Sequence, residues 1–200
     1  MINIGLIPTV RKKYKNQIEV CVDLRLIQFL KKTFLEKKIQ INYSVNKKTN
    51  LIILTGGNDL SNIKNSLINV RRDKLNKKAL YYSKSYNIPI VGYCGGAQYL
   101  AFKFGSRISL SNKHVGNHKL FVRKNIFSRN LKFPKYINSF HDYVIEKLGK
   151  NLVQVCFAKD KSTEFFFHKN KKVYGIMWHP ERNKKFSKFD KILLREITCI

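Results

Sequence analysis

Three stretches of this chain hold residue types that can do chemistry together. Cys94 sits in Gly92-Tyr93-Cys94-Gly95-Gly96, where the apolar run 88–91 stops and a helix-like pattern resumes. A thiol on a strand-to-helix turn is thrust out at the carboxyl edge of a sheet, and flanking glycines remove the Cβ atoms that would clash there. Backbone N–H groups at the start of the next helix face the same point, where they stabilise an oxyanion. Cys94 therefore reads as a nucleophile, against the alternative of a buried structural cysteine. In His179-Pro180-Glu181 the proline fixes the backbone between an imidazole and a carboxylate, so Glu181 can orient His179 as the base that takes the thiol proton and returns it to a leaving nitrogen. Thr55-Gly56-Gly57-Asn58-Asp59 ends a second apolar run, and its glycines let the Gly57 N–H act as a second oxyanion donor beside Gly95. His168, in a Lys/Asn-rich turn, reads as a structural or surface residue.

These residues need a frame that brings strand ends to one edge. Apolar runs predict strands over 2–7, 39–45, 50–54 and 88–91, and helical spacing of Leu75, Ala79, Tyr82 and Tyr86 predicts a helix over 72–86. Strand, helix, strand is a crossover unit, which implies a parallel sheet with ligand sites beyond the carboxyl ends of its strands. A helix is expected over 17–37, with Cys21, Leu24, Ile27, Leu30 and Phe34 on its buried face, and another over 96–104 after the cysteine. The remainder is β-like over 118–122, 136–139, 152–158, 164–168 and 173–178.

Two hundred residues with 44% hydrophobic content suffice for one well-buried domain over 1–200, and no repeat or Pro/Gly/Ser-rich linker divides them. The N-terminus lacks a signal-peptide pattern and no apolar stretch approaches bilayer length, so a cytoplasmic protein without membrane insertion is expected. The four cysteines show neither CxxC pairing nor Cys/His ligand spacing, which argues against a disulfide framework and a zinc site. Forty Lys+Arg against 12 Asp+Glu give a net charge of +28. Such a field attracts anions, but the charge is dispersed as Lys-Lys pairs without a stripe or aromatic RNA-binding motif, which reads as surface composition and argues against nucleic acid as a partner.

The four segments 55–59, 92–98, 138–141 and 175–181 together resemble the class I glutamine amidotransferase-like superfamily, in its γ-glutamyl hydrolase branch, peptidase family C26. The resemblance implies an α/β fold, a flavodoxin-like three-layer αβα sandwich with a mostly parallel central sheet. It implies a catalytic triad of Cys94, His179 and Glu181, an oxyanion hole at Gly57 and Gly95, and a substrate-facing set of Gln98, Asn138, Ser139 and His141. It implies no metal and no cofactor. Many members of the branch carry Arg where this chain has Gly95. The segments 56–60, 114–118 and 178–182 look most like hydrolases that release glutamate from γ-glutamyl-CDP-amidate, and Arg71, Arg72, Lys113, Lys119 and Arg123 are candidates to meet such an anionic leaving group. The other readings are a glutaminase subunit that passes ammonia to a partner synthetase, and a non-catalytic binding module, which has no need of an intact Cys, His and Glu set.

Overall fold

A computed structural model describes residues 1–111, 114–123 and 131–198. In chain order the elements are β1 (Ile2–Ile7), β2 (Thr9–Tyr14), β3 (Gln17–Cys21), α1 (Leu24–Thr33), β4 (Ile39–Asn42), β5 (Leu51–Leu54), α2 (Leu67–Tyr86), β6 (Ile90–Tyr93), α3 (Gly95–Lys103), β7 (Arg107–Leu110), β8 (Val115–Lys119) and β9 (Phe121–Val122). They continue with β10 (Tyr136–Phe140), β11 (Tyr143–Lys147), β12 (Leu152–Phe157), β13 (Thr163–His168), β14 (Val173–Ile176), a 3₁₀ turn (Pro180–Arg182) and α4 (Lys188–Thr198).

The main sheet runs β4-β1-β5-β6-β14-β13-β11-β7, and β12 joins it beside β13. From β4 to β14 every pairing is parallel, and beyond β14 the pairings turn antiparallel. The strands β5 and β6 are buried at all four positions, as expected of strands covered on both faces. Alternation then sorts their side chains. Leu51 and Ile53 pack with Phe29 and Leu30 of α1 and Leu193 and Leu194 of α4. Ile52 and Leu54 pack on the opposite face with Ala79 and Leu80 of α2 and Ala97 and Leu100 of α3. Each such aliphatic side chain contributes about 1.5–3 kcal/mol on burial, and the three layers match the expected flavodoxin-like sandwich. Helix α2 starts at a Ser66 cap and stops at Asn87, whose left-handed backbone (φ 52°) turns the chain directly into β6. Among the described residues no helix is long and apolar enough to cross a membrane.

The expected helix over 17–37 is corrected. Residues Gln17–Cys21 form β3, paired antiparallel with β2 (Val10↔Val20, Lys12↔Ile18), and α1 begins only after Asp23, whose carboxylate caps the Arg25 N–H at 2.8 Å. The alternating Ile18 and Val20 favour a strand, and a capping Asp marks a helix start rather than its middle. Cys21 lies half-buried in the hairpin rather than in the core. The short strands β7 and β11 and the helix α4 had no sequence expectation.

Candidate active site

Three loops meet at the carboxyl edge of the parallel strands. After β6 the chain turns at Cys94, which holds φ 48° and ψ −109°, a conformation that a non-glycine residue adopts only where its surroundings enforce it. The enforcement is visible: the Cys94 N–H donates to the Ile176 carbonyl at 2.8 Å, and the Cys94 carbonyl accepts from Gln98 N–H at 2.9 Å. Any Cβ at position 92 would lie 2.5 Å from the Gly96 backbone, so the tight turn requires glycine there. At position 95 a Cβ would lie 2.6 Å from the Gly57 carbonyl. Glycine at position 95 thus lets the loop after β5 close onto the elbow.

That loop is held by its neighbours. Gly57 (φ 81°) and Asn58 (φ 55°) are both left-handed. The Asn58 side chain accepts from Val10 N–H at 2.9 Å and donates to the Val10 carbonyl at 2.8 Å, which ties the loop to the β2–β3 hairpin. Beneath it Arg72, fully buried, donates to the carbonyls of Ile7 (2.9 Å), Thr55 (2.8 Å) and Pro8. Burial pushes its guanidinium down to about 9. Arg72 is therefore a strut for the strand ends, and its expected role at a leaving group is corrected.

β14 leads through Met177 and Trp178 to His179, whose Nδ1 lies 2.5 Å from Glu181 Oε1. Both residues are buried. His179 Nε2 has no hydrogen-bond partner among the described residues and is turned toward the cysteine: a Cβ on Gly56 would meet His179 Cε1 at 2.7 Å, Cys94 Cβ at 3.3 Å and His179 Nε2 at 3.4 Å. Burial opposes the imidazolium, yet the contacts with Cys94 and Glu181 outweigh it and raise His179 to about 9. An imidazolium facing sulfur favours the nucleophilic thiolate. Arg25 of α1 fixes the turn from outside, donating to the carbonyls of Glu181 (2.8 Å) and Asn183 (2.6 Å).

A cavity of about 140 Å³ opens over these groups, lined among others by Cys94, Gly57, Gly95, Gln98, His141 and Arg182. An adjoining hollow of about 310 Å³ shares Gly57, His179 and Arg182 and adds Arg11. Gln98 is anchored by donation to the Tyr143 carbonyl at 2.8 Å. Two expected substrate contacts are corrected. Ser139 is fully buried and donates to the His114 carbonyl at 2.6 Å. Asn138 pairs with the backbone of His179, donating to its carbonyl at 2.7 Å and accepting from its N–H at 2.8 Å. It positions the histidine and does not line the cavity. Of the proposed anion contacts, Arg71 lines a separate hollow with Lys12 and Lys15, Lys119 and Arg123 lie over the rings of Phe121 and Phe157, and Lys113 lies outside the described residues. His168 is buried at the end of β13, accepting from Asn170 N–H at 3.0 Å. Arg182, which lines the cavity, and Arg11, which lines the adjoining hollow, were missed; the one available signal was that Arg182 directly follows Glu181.

A glycine-flanked cysteine on the turn after one parallel strand, a histidine and carboxylate beyond its neighbour and a glycine loop on the other side are the arrangement of a class I glutamine amidotransferase-like protein. The family model of Peptidase C26 matches residues 10–181, and the chain belongs to that family. Over 131 residues it is 42% identical to a γ-glutamyl-CDP-amidate hydrolase of Campylobacter jejuni, covering 66% of this chain and 62% of that protein's length. It is 30% identical over 163 residues to a glutamine amidotransferase-like protein of Lactococcus lactis, covering 70% of this chain and 69% of the relative. The fold matches a glutamine amidotransferase of Thermotoga maritima with a TM-score of 0.67 at 16% identity, over 90% of this chain and 76% of the other.

Proposed function

We propose that this chain is a cysteine hydrolase of a γ-glutamyl amide, with γ-glutamyl-CDP-amidate as substrate and glutamate and CDP-amidate as products. The observation that carries the reading is the strained Cys94 facing an unpartnered His179 Nε2 that is backed by Glu181 at 2.5 Å. The choice of substrate rests on the 42% identity to the Campylobacter hydrolase. In this reading the Cys94 thiolate attacks the γ-carbonyl, and the N–H groups of Gly57 and Gly95 stabilise the tetrahedral oxyanion. His179 protonates the leaving nitrogen, which departs as CDP-amidate. Water then attacks the γ-glutamyl thioester while His179 takes its proton, and glutamate and the free thiol result. Gln98 and His141 border the glutamyl moiety. Arg182 supplies the cation for the leaving phosphoryl groups, with Arg11 at the outer hollow. The chain works as one domain in the cytoplasm.

The test is glutamate release by the purified protein from γ-glutamyl-CDP-amidate, glutamine and a γ-glutamyl peptide at equal concentration, with Cys94→Ala as blank. The reading requires Cys94-dependent turnover strongest on the nucleotide, and a KM for the nucleotide that rises in Arg182→Ala. Preference for glutamine would replace it with a glutaminase subunit serving a synthetase partner. Absence of Cys94-dependent turnover on all three would overturn the hydrolase reading.

A further inference from the structure

Behind the cavity wall formed by Phe140 and His141 lies a second cluster of chemistry-bearing side chains. His114 precedes β8, His118 lies within it, His141 follows β10, and Glu164 lies in β13. Glu164 is completely buried, and His114 and His141 nearly so. Glu164 Oε1 lies 3.1 Å from His118 Nε2, 3.5 Å from His114 Nδ1 and 3.9 Å from His141 Nε2. None of these four atoms, nor Glu164 Oε2, has a hydrogen-bond partner among the described residues. A carboxylate and several imidazole nitrogens left unsatisfied in an interior cost several kcal/mol, so the arrangement calls for something at its centre.

The spacing says what that is. Ligands placed tetrahedrally about 2.0–2.1 Å from a zinc-like ion lie about 3.3 Å apart, and the separations of His118 (3.1 Å) and His114 (3.5 Å) from Glu164 Oε1 bracket that value. The ligand atoms of His114, His118 and Glu164 all fall within 4.8 Å of one another. His114 also carries the outer partner expected of a metal-bound histidine. Its Nε2 lies 2.8 Å from Asp160 Oδ2, while Asp160 Oδ1 accepts from the Ser162 hydroxyl at 2.7 Å and from its N–H at 3.1 Å. A carboxylate on Nε2 places the proton there and leaves the Nδ1 lone pair aimed inward. We propose that His114 Nδ1, His118 Nε2 and Glu164 form a binding site for a divalent transition cation of the zinc type. Imidazole with one carboxylate suits such a cation, whereas magnesium and calcium take oxygen ligands.

None of the three ligands lines the cavity over Cys94, so the ion serves the structure of the wall rather than the hydrolysis itself. It ties the two-stranded β8–β10 ribbon to β13 of the main sheet. That ribbon carries Asn138 onto the His179 backbone, and His141 follows directly into the cavity wall. The ion would hold both in place.

The experiment uses the full chain with Cys94→Ala, which removes the thiol as a competing ligand. After chelator treatment and dialysis, the protein is titrated with Co²⁺ and then Zn²⁺. One equivalent of Co²⁺ is expected to give the intense visible bands of a four-coordinate ion, and Zn²⁺ to abolish them and raise Tm. Loss of an outer-shell partner alone costs about 10–100-fold in affinity, so Glu164→Gln and His118→Gln should each lose more than about 100-fold. His118 is partly exposed, so its variant decides the matter if Glu164→Gln fails to fold. Absence of stoichiometric binding, or binding that His118→Gln leaves unchanged, would overturn the proposal.

Discussion

Replacing Glu181 by Gln separates the charge of the carboxylate from its shape. The amide fits the same buried turn, and because Glu181 Oε2 has no partner among the described residues, the substituted side chain is free to rotate its amide carbonyl toward His179 Nδ1. The imidazole orientation and tautomer are then kept, and only the charge is lost. A buried hydrogen bond to a charged group contributes about 1.5–3 kcal/mol, which at 1.36 kcal/mol per pKa unit is about 1–2 units. His179, held at about 9 by Cys94 and Glu181 against its burial, should fall to about 7–8. In the proposed mechanism thioester formation needs a protonated His179 at the leaving nitrogen, so the alkaline limb of the kcat/KM profile moves down by the same amount. The same free energy lost from the transition state lowers kcat/KM by about 10–100-fold. The assay is glutamate release between pH 6 and 10 for both proteins. An alkaline limb that stays in place in the variant, with less than a threefold loss of kcat/KM, would show that Glu181 does not govern His179 and would refute the triad argument.

Gly56→Ala should abolish glutamate release and lower stability in urea, because the new methyl meets the buried His179 Cε1 at 2.7 Å and Cys94 Cβ at 3.3 Å and drives the imidazole off its line to the thiol. Arg72→Met leaves the buried carbonyls of Ile7, Pro8 and Thr55 without their donor; a loss of about 3–5 kcal/mol in urea unfolding is expected, with activity falling as the glycine loop loosens. Asn138→Ala strips both bonds from the His179 backbone, so kcat should drop together with about 1–3 kcal/mol of stability. Because the folded pKa of His179, about 9, exceeds its ordinary 6.5, its stabilising contribution is fully present below about pH 6.5 and is lost as pH rises through about 9. The difference in unfolding free energy between the protein and His179→Ala should shrink across that window.

Much of the edge that carries the candidate site was legible in the sequence because it is written in short-range signals. Four-residue apolar runs, glycines where a Cβ has no room, and a proline between His179 and Glu181 each act within a few residues, so they mark the elbow, the glycine loop and the parallel strands without tertiary information. The helix expected over 17–37 failed where two short-range signals competed, since apolar spacing suited a helix while Ile18, Val20 and the Asp23 cap suited a hairpin followed by a shorter one. What only the tertiary structure decided are partnerships between residues far apart in sequence. Arg72 turned inward because α2 lies beneath the ends of β1 and β5, where three carbonyls needed a donor. Ser139 and Asn138 took structural partners because β10 pairs with β8 and crosses the His179 backbone. His114, His118, His141 and Glu164 converge only when that ribbon docks on β13. Periodicity reports which face of an element is buried, but the order of strands in the sheet determines whom that face meets.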